Sequence, residues 1–71
     1  MGKKPMGERI KQLREKQRLS RYELARRIQC EPVSVMLWEE GTTTPTARSL
    51  DKLARYFGVT VDYILNGGDA V

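Results

Sequence analysis

Apolar residues at Met6, Ile10 and Leu13, with Gln17 in the next place, recur at the interval that stacks side chains on one face of an α-helix, predicting an amphipathic helix over about residues 6–17. Arg14 falls on the same inward stripe, where a charge needs a partner. Ser20 followed by Glu23 reads as a capping box, in which the hydroxyl takes a helix N–H and the carboxylate reaches back to the cap, so a second helix is expected to begin at Arg21. Its apolar face is Leu24, Ala25 and Ile28. Pro32 suits a first helical position, where its missing N–H leaves nothing unpaired, and predicts a third helix over 32–39 that buries Val35 and Trp38 and closes at Gly41. Thr46 is the expected N-cap of a fourth helix carrying Leu50, Leu53, Ala54 and Phe57, with Gly58 and Val59 forming a Schellman-type ending. Thr60 then caps a short fifth helix through Tyr63, Ile64 and Leu65, which stops at Asn66-Gly67-Gly68.

Five short helices with brief links, no alternating strand pattern and no internal repeat predict an all-α compact domain. The expected division is a basic arm at 1–5, a helical domain at 6–66, and a flexible end or the start of a linker at 67–71. A chain of 71 residues, 39% hydrophobic and 31% charged, supports one small domain with a thin core and excludes a two-domain enzyme.

The sequence contains no histidine and one cysteine, which removes an internal disulfide, a metal-ligand set and any Ser-His or Cys-His catalytic pair. No enzyme, cofactor, metal or small-molecule ligand is therefore expected, and Cys30 reads as a packed or half-exposed thiol in a turn. No window approaches the length and apolarity of a membrane span, and Lys3-Lys4 precede no secretory apolar stretch. Met6 stands where a myristoylation signal beginning at Gly2 wants Ser or Thr. These features point to a soluble, cytoplasmic protein.

Charge changes the picture. Residues 1–27 hold ten Lys and Arg against Glu8, Glu15 and Glu23, whereas residues 28–71 hold Arg48, Lys52 and Arg55 against six acids. A basic excess gathered in one segment suits a polyanion partner, because each cation set against a phosphate releases counterions. A merely solvated helix face explains the same counts about as well, so composition alone does not choose.

Residues Arg21 to Glu40 have the helix, short turn and helix spacing of a helix-turn-helix, with Ala25 small at the crossing and Leu24, Ile28, Val35 and Trp38 filling the angle. Around it stand Gly7-Glu8-Arg9-Ile10, Leu13-Arg14-Glu15, Leu19-Ser20-x-x-Glu23-Leu24-Ala25, Trp38-Glu39-x-Gly41, Pro45, and Leu53-Ala54 ahead of Phe57-Gly58-Val59-x-Val61-Asp62-Tyr63-Ile64-Leu65. Together these resemble the Cro/repressor-like helix-turn-helix family, most of all the N-terminal DNA-binding domains of lambdoid phage repressors, over about residues 6–67. The resemblance implies a five-helix lambda-repressor-like fold and sequence-specific double-stranded DNA binding by a transcription regulator, a repressor at a palindromic operator.

It further implies a buried, bidentate ion pair between Arg14 and Glu39, with a structural role. The third helix would enter the major groove N-terminus first, presenting Pro32, Val33 and Leu37 to bases, with Ser34 and Met36 beside them. Here the chain departs from most relatives, which carry polar residues at several of these places; Val33 and Leu37 are instead suited to thymine methyl groups. Arg21 stands where the family often has Gln, and is expected at a phosphate or a guanine edge. Lys3, Lys4, Arg9, Thr43, Thr44, Thr46 and Arg48 are expected at phosphates. Phe57, Gly58, Val59, Val61 and Tyr63 would form a small homodimer contact, weak or absent in solution and made on DNA. Gln29 occupies a turn position that relatives give to glycine and is expected at positive φ. Glu31 takes the place of a Ser or Thr cap. The alternative reading of the apolar third helix is a protein-interaction module of the same fold, such as an antitoxin.

Overall fold

The structure is a computed structural model and describes residues 5–67. Lys3 and Lys4, most of the expected basic arm, and Gly68 onward lie outside the described residues.

Five helices follow one another: α1 (Met6–Lys16), α2 (Arg21–Ile28), α3 (Pro32–Glu40), α4 (Ala47–Phe57) and α5 (Val61–Asn66). Their starts are local chemistry. The Ser20 hydroxyl accepts from the Glu23 N–H at 3.0 Å while the Glu23 carboxylate accepts from the Ser20 N–H at 2.8 Å, a complete capping box. Thr46 and Thr60 cap α4 and α5 through the N–H groups of Ser49 and Tyr63. Glu31 makes no side-chain cap; Pro32 opens α3 without one.

The ends share one device. At Arg18, Gln29, Gly41 and Gly58 the backbone turns left-handed, and the next N–H reaches back to the carbonyl five residues earlier: Leu19 to Arg14, Cys30 to Ala25, Thr42 to Leu37 and Val59 to Ala54. Two of these turns use residues with a Cβ, Arg18 at φ 57° and Gln29 at φ 59°, at a cost of about 1 kcal/mol each. The turn at Arg18 ends α1 at Lys16, one residue before the periodicity suggested, because Gln17 already leaves the helix. In the other direction, α3 runs one residue past expectation to Glu40.

The core is built from Ile10, Leu24, Val35, Leu53 and Ile64, one large fully buried side chain from each helix, with Ala25, Ile28, Trp38, Leu50 and Ala54 around them. Leu19, in the α1–α2 link, is buried as well. The backbones of α1 and α3 approach closely: a Cβ on Gly7 would collide with the Trp38 carbonyl oxygen and press on that of Glu39. Only glycine lets the two backbones meet there.

Candidate nucleic-acid interface

The orientation of α3 is set from both ends. At its start, the Gln29 turn and the small Ala25 let Val35 pack into the angle with α2. At its end, Glu39 sends a carboxylate, only 1% exposed, between α1 and α2. Arg14 approaches it in a two-point fork, Nε to Oε2 at 2.6 Å and Nη2 to Oε1 at 3.0 Å, and spends Nη1 on the Leu19 carbonyl at 2.8 Å. The hydrogen bonds to Glu39 raise the Arg14 pKa above its ordinary value, outweighing the opposing effect of burial. The charge on the inward stripe of α1 thus meets a carboxylate within a closed set of bonds.

Glu39 has a second cation, which the sequence did not signal. Arg21 Nε donates to Oε1 at 2.9 Å, so the residue expected at DNA is also tied to the end of α3. Its side chain remains 39% exposed.

With its back fixed, α3 shows an apolar outer surface. Val33 is 50% exposed, while Pro32, Ser34, Met36 and Leu37 are half-buried. Thr43, Thr44, Thr46 and Arg48 are exposed in the loop and first turn before and within α4, although the Thr46 hydroxyl is already engaged in capping.

Arg9 requires a correction. Expected at a phosphate near the arm, it is instead 94% buried, being 6% exposed. Its Nε donates to the Ile64 carbonyl at 2.8 Å and its Nη2 to the Leu65 carbonyl at 2.7 Å. These are carbonyls of the last turn of α5, which lack partners within the helix and carry partial negative charge, so they suit a buried guanidinium.

Phe57, Val59, Val61 and Tyr63 are half-buried and Gly58 exposed, lying along the end of α4 and the start of α5; the Phe57 ring meets Tyr56 edge-on at 5.3 Å between centroids. Leu65 adds an exposed apolar residue to α5. Tyr22, 59% exposed on α2, was also missed. Its signal was an aromatic ring off the apolar face of Leu24, Ala25 and Ile28. Cys30 is half-buried, and burial pushes its thiol pKa up, away from reactivity. Among the described residues no helix is long and apolar enough to cross a membrane, and no group of three or more acidic, Cys or His side chains could hold a metal ion.

Residues 10–64 match the helix-turn-helix family. The chain belongs to that family. Its five helices superimpose on the P22 c2 repressor in its crystal structure with synthetic operator 9T, with a TM-score of 0.89, 29% identity, and coverage of 93% of this chain and 100% of that one. A second match is SinR from Bacillus subtilis, the master regulator for biofilm formation, in complex with DNA: TM-score 0.77, 28% identity, 83% of this chain and 95% of that chain. The HTH-type transcriptional activator BcrR of Enterococcus faecalis is 30% identical over 64 residues, 90% of this chain but 31% of the relative. This chain therefore spans about a third of the curated relative it matches. The fold is that of the lambda-repressor-like, DNA-binding transcription regulators, as the motifs around Arg14, Glu39 and Gly58 had suggested. Its relatives include both a repressor and an activator.

Proposed function

We propose that this helix-turn-helix domain occupies an operator in double-stranded DNA, with α3 in the major groove, and that it acts as a repressor. The observation that carries this reading is the contrast within α3: its last turn is bolted to α1 and α2 through Glu39, while Val33 in its first turn stands half exposed. A rigid helix with one protruding turn is what groove reading needs. Two relatives of this fold are seen with DNA, which supports the same partner here.

Readout is largely apolar. Val33 is its centre, packing with Leu37 against thymine 5-methyl groups, with Pro32, Ser34 and Met36 alongside. Thr43, Thr44 and Arg48 hold phosphates on one flank, Thr46 through the start of α4, and Lys3 and Lys4 through the arm at 1–5. Phe57, Gly58, Val59, Val61 and Tyr63 pair two copies on a palindrome whose half-sites lie about 34 Å apart. The resemblance gives this pairing, and the half-buried apolar strip beside exposed Leu65 supports it. Location in a bacterial host cell follows from the same reading.

The test is selection from a random duplex pool, followed by affinity against salt for the winner and a scrambled duplex. The reading expects a thymine-rich palindrome bound ~10³-fold or more tighter than the scramble. Val33→Ala should then weaken the selected site about tenfold while leaving the scramble nearly unchanged. Weak binding that is steep in salt and blind to sequence would mean that the basic residues grip phosphates only, and would move the apolar face of α3 to a protein partner.

A further inference from the structure

Deepening the operator-binding reading, on which it rests, we infer that Glu39 is a positioning residue for DNA contact: it holds Arg21 as a phosphate clamp whose place is tied to the reading helix. Three helices converge on this one carboxylate. Arg14 from α1 and Arg21 from α2 both donate to it, and it belongs to the last turn of α3. One buried negative charge thus serves two guanidiniums, and the cluster keeps a net positive charge.

The two arginines do different work. Arg14 has all three nitrogens engaged inside the protein and an 11% exposed side chain, so it fixes Glu39 and has little to offer a ligand. Arg21 is anchored through Nε alone among its bonds to Glu39, and its side chain is more than a third exposed. An arginine held at Nε keeps a planar end with two terminal nitrogens, the fork that fits a phosphate. Anchoring also removes rotamer freedom before binding, so less is lost when the phosphate arrives. Arg21 is the first residue of α2, where the helix dipole favours an anion.

The linkage couples two kinds of contact. Glu39 and Val33 sit six residues apart on α3, about 9 Å along its axis. A phosphate gripped by Arg21 therefore fixes where Val33 falls in the groove. A wrong sequence cannot be accommodated by shifting α3 without loosening the clamp, so Arg21 contributes to specificity as well as affinity. An untethered cation would add affinity to every duplex equally.

The experiment compares wild type, Arg21→Lys, Arg21→Ala and Glu39→Gln on the selected and scrambled duplexes across salt, with a melting curve for each. Lysine keeps the charge but has one nitrogen, so it cannot hold Glu39 and present a fork together. Arg21→Lys is expected to melt close to wild type, keep the salt slope, and lose about tenfold of the preference for the selected duplex. Arg21→Ala should lose that preference and also about one unit of salt slope. Glu39→Gln, assayed below its own melting transition, should lose the same preference and add nothing further when combined with Arg21→Ala. Unchanged preference in Arg21→Lys or Glu39→Gln, an equal loss on both duplexes, or a lysine variant that melts far below wild type would each overturn the inference. A wild-type protein with no duplex preference would overturn the operator reading itself, and would declare itself before any substitution is made.

Discussion

Two buried arginines on α1, five residues apart, join different parts of the fold. Arg14 joins α2 and α3: it binds the Glu39 carboxylate, which Arg21 shares. Arg9 joins the α5 end: it binds main-chain carbonyls of Ile64 and Leu65. Arg14 meets a full opposite charge in Glu39, and among the partners of Arg9 are carbonyls that carry the partial charge of a helix C-terminus. The difference lies in what is stranded when the arginine is removed. Without Arg14, a 1% exposed carboxylate loses its two-point partner; without Arg9, the carbonyls of Ile64 and Leu65, which carry no full charge, lose theirs.

That contrast is broken most severely by Arg14→Ala, which should cost about 3–5 kcal/mol of unfolding free energy in urea titration. Arg21 offers Glu39 only one partial substitute. A loss under 1 kcal/mol would mean that Glu39 relaxes toward solvent, and the asymmetry between the arginines would vanish. Arg9→Met should cost about 2–3 kcal/mol, the range for charge-assisted hydrogen bonds to carbonyls. Its effect should be local, with faster amide exchange in α5 and near-normal protection in α2 and α3. Uniform loss of protection would show that both arginines hold the whole domain.

Smaller changes sharpen the comparison without touching either arginine. Gln29→Gly relieves left-handed strain in the turn between α2 and α3, and should stabilise by up to about 0.5 kcal/mol after the greater freedom of glycine in the unfolded chain is set against it. The gain should add to the loss in Arg9→Met, since the two sites are far apart in function and share no bond. A destabilised Gln29→Gly would mean that the Gln side chain contributes something its exposure does not suggest. The smallest effect is one of pH. Hydrogen bonds from the Ser20 backbone and hydroxyl hold the Glu23 carboxyl below its usual value, so the capping box contributes above the ordinary carboxylate range and its contribution is lost as pH falls through the lowered value. Melting midpoints measured down through that range should fall less in Glu23→Gln than in wild type. Equal slopes would place the acid sensitivity elsewhere.

What could be read from the chain follows from how far each signal reaches. Ser20 with Glu23, Thr46, Thr60, Gly41 and Gly58 announce helix ends because caps and left-handed turns involve residues within five positions of one another. The helices, their order and the apolar positions of the core were legible for the same reason. Arg14 could be assigned Glu39 only through the family pattern; its place on an inward stripe called for a partner without naming one.

The tertiary structure alone decided the rest. Arg9 looked like a cation of the basic arm because its acceptors are backbone carbonyls 55 and 56 residues away, and every residue has a carbonyl. The sharing of Glu39 by Arg21 was equally silent, since it depends on three helices bringing one buried carboxylate within reach of two guanidiniums. Nothing local to Gly7 announces that the backbone of α3 lies against it. The sequence by itself determined where the helices begin and end and which faces turn inward, because those choices are made by near neighbours. Which charges end up inside, and against what, was decided only when distant segments packed, because burial turns an arginine from a surface cation into a group that must be matched.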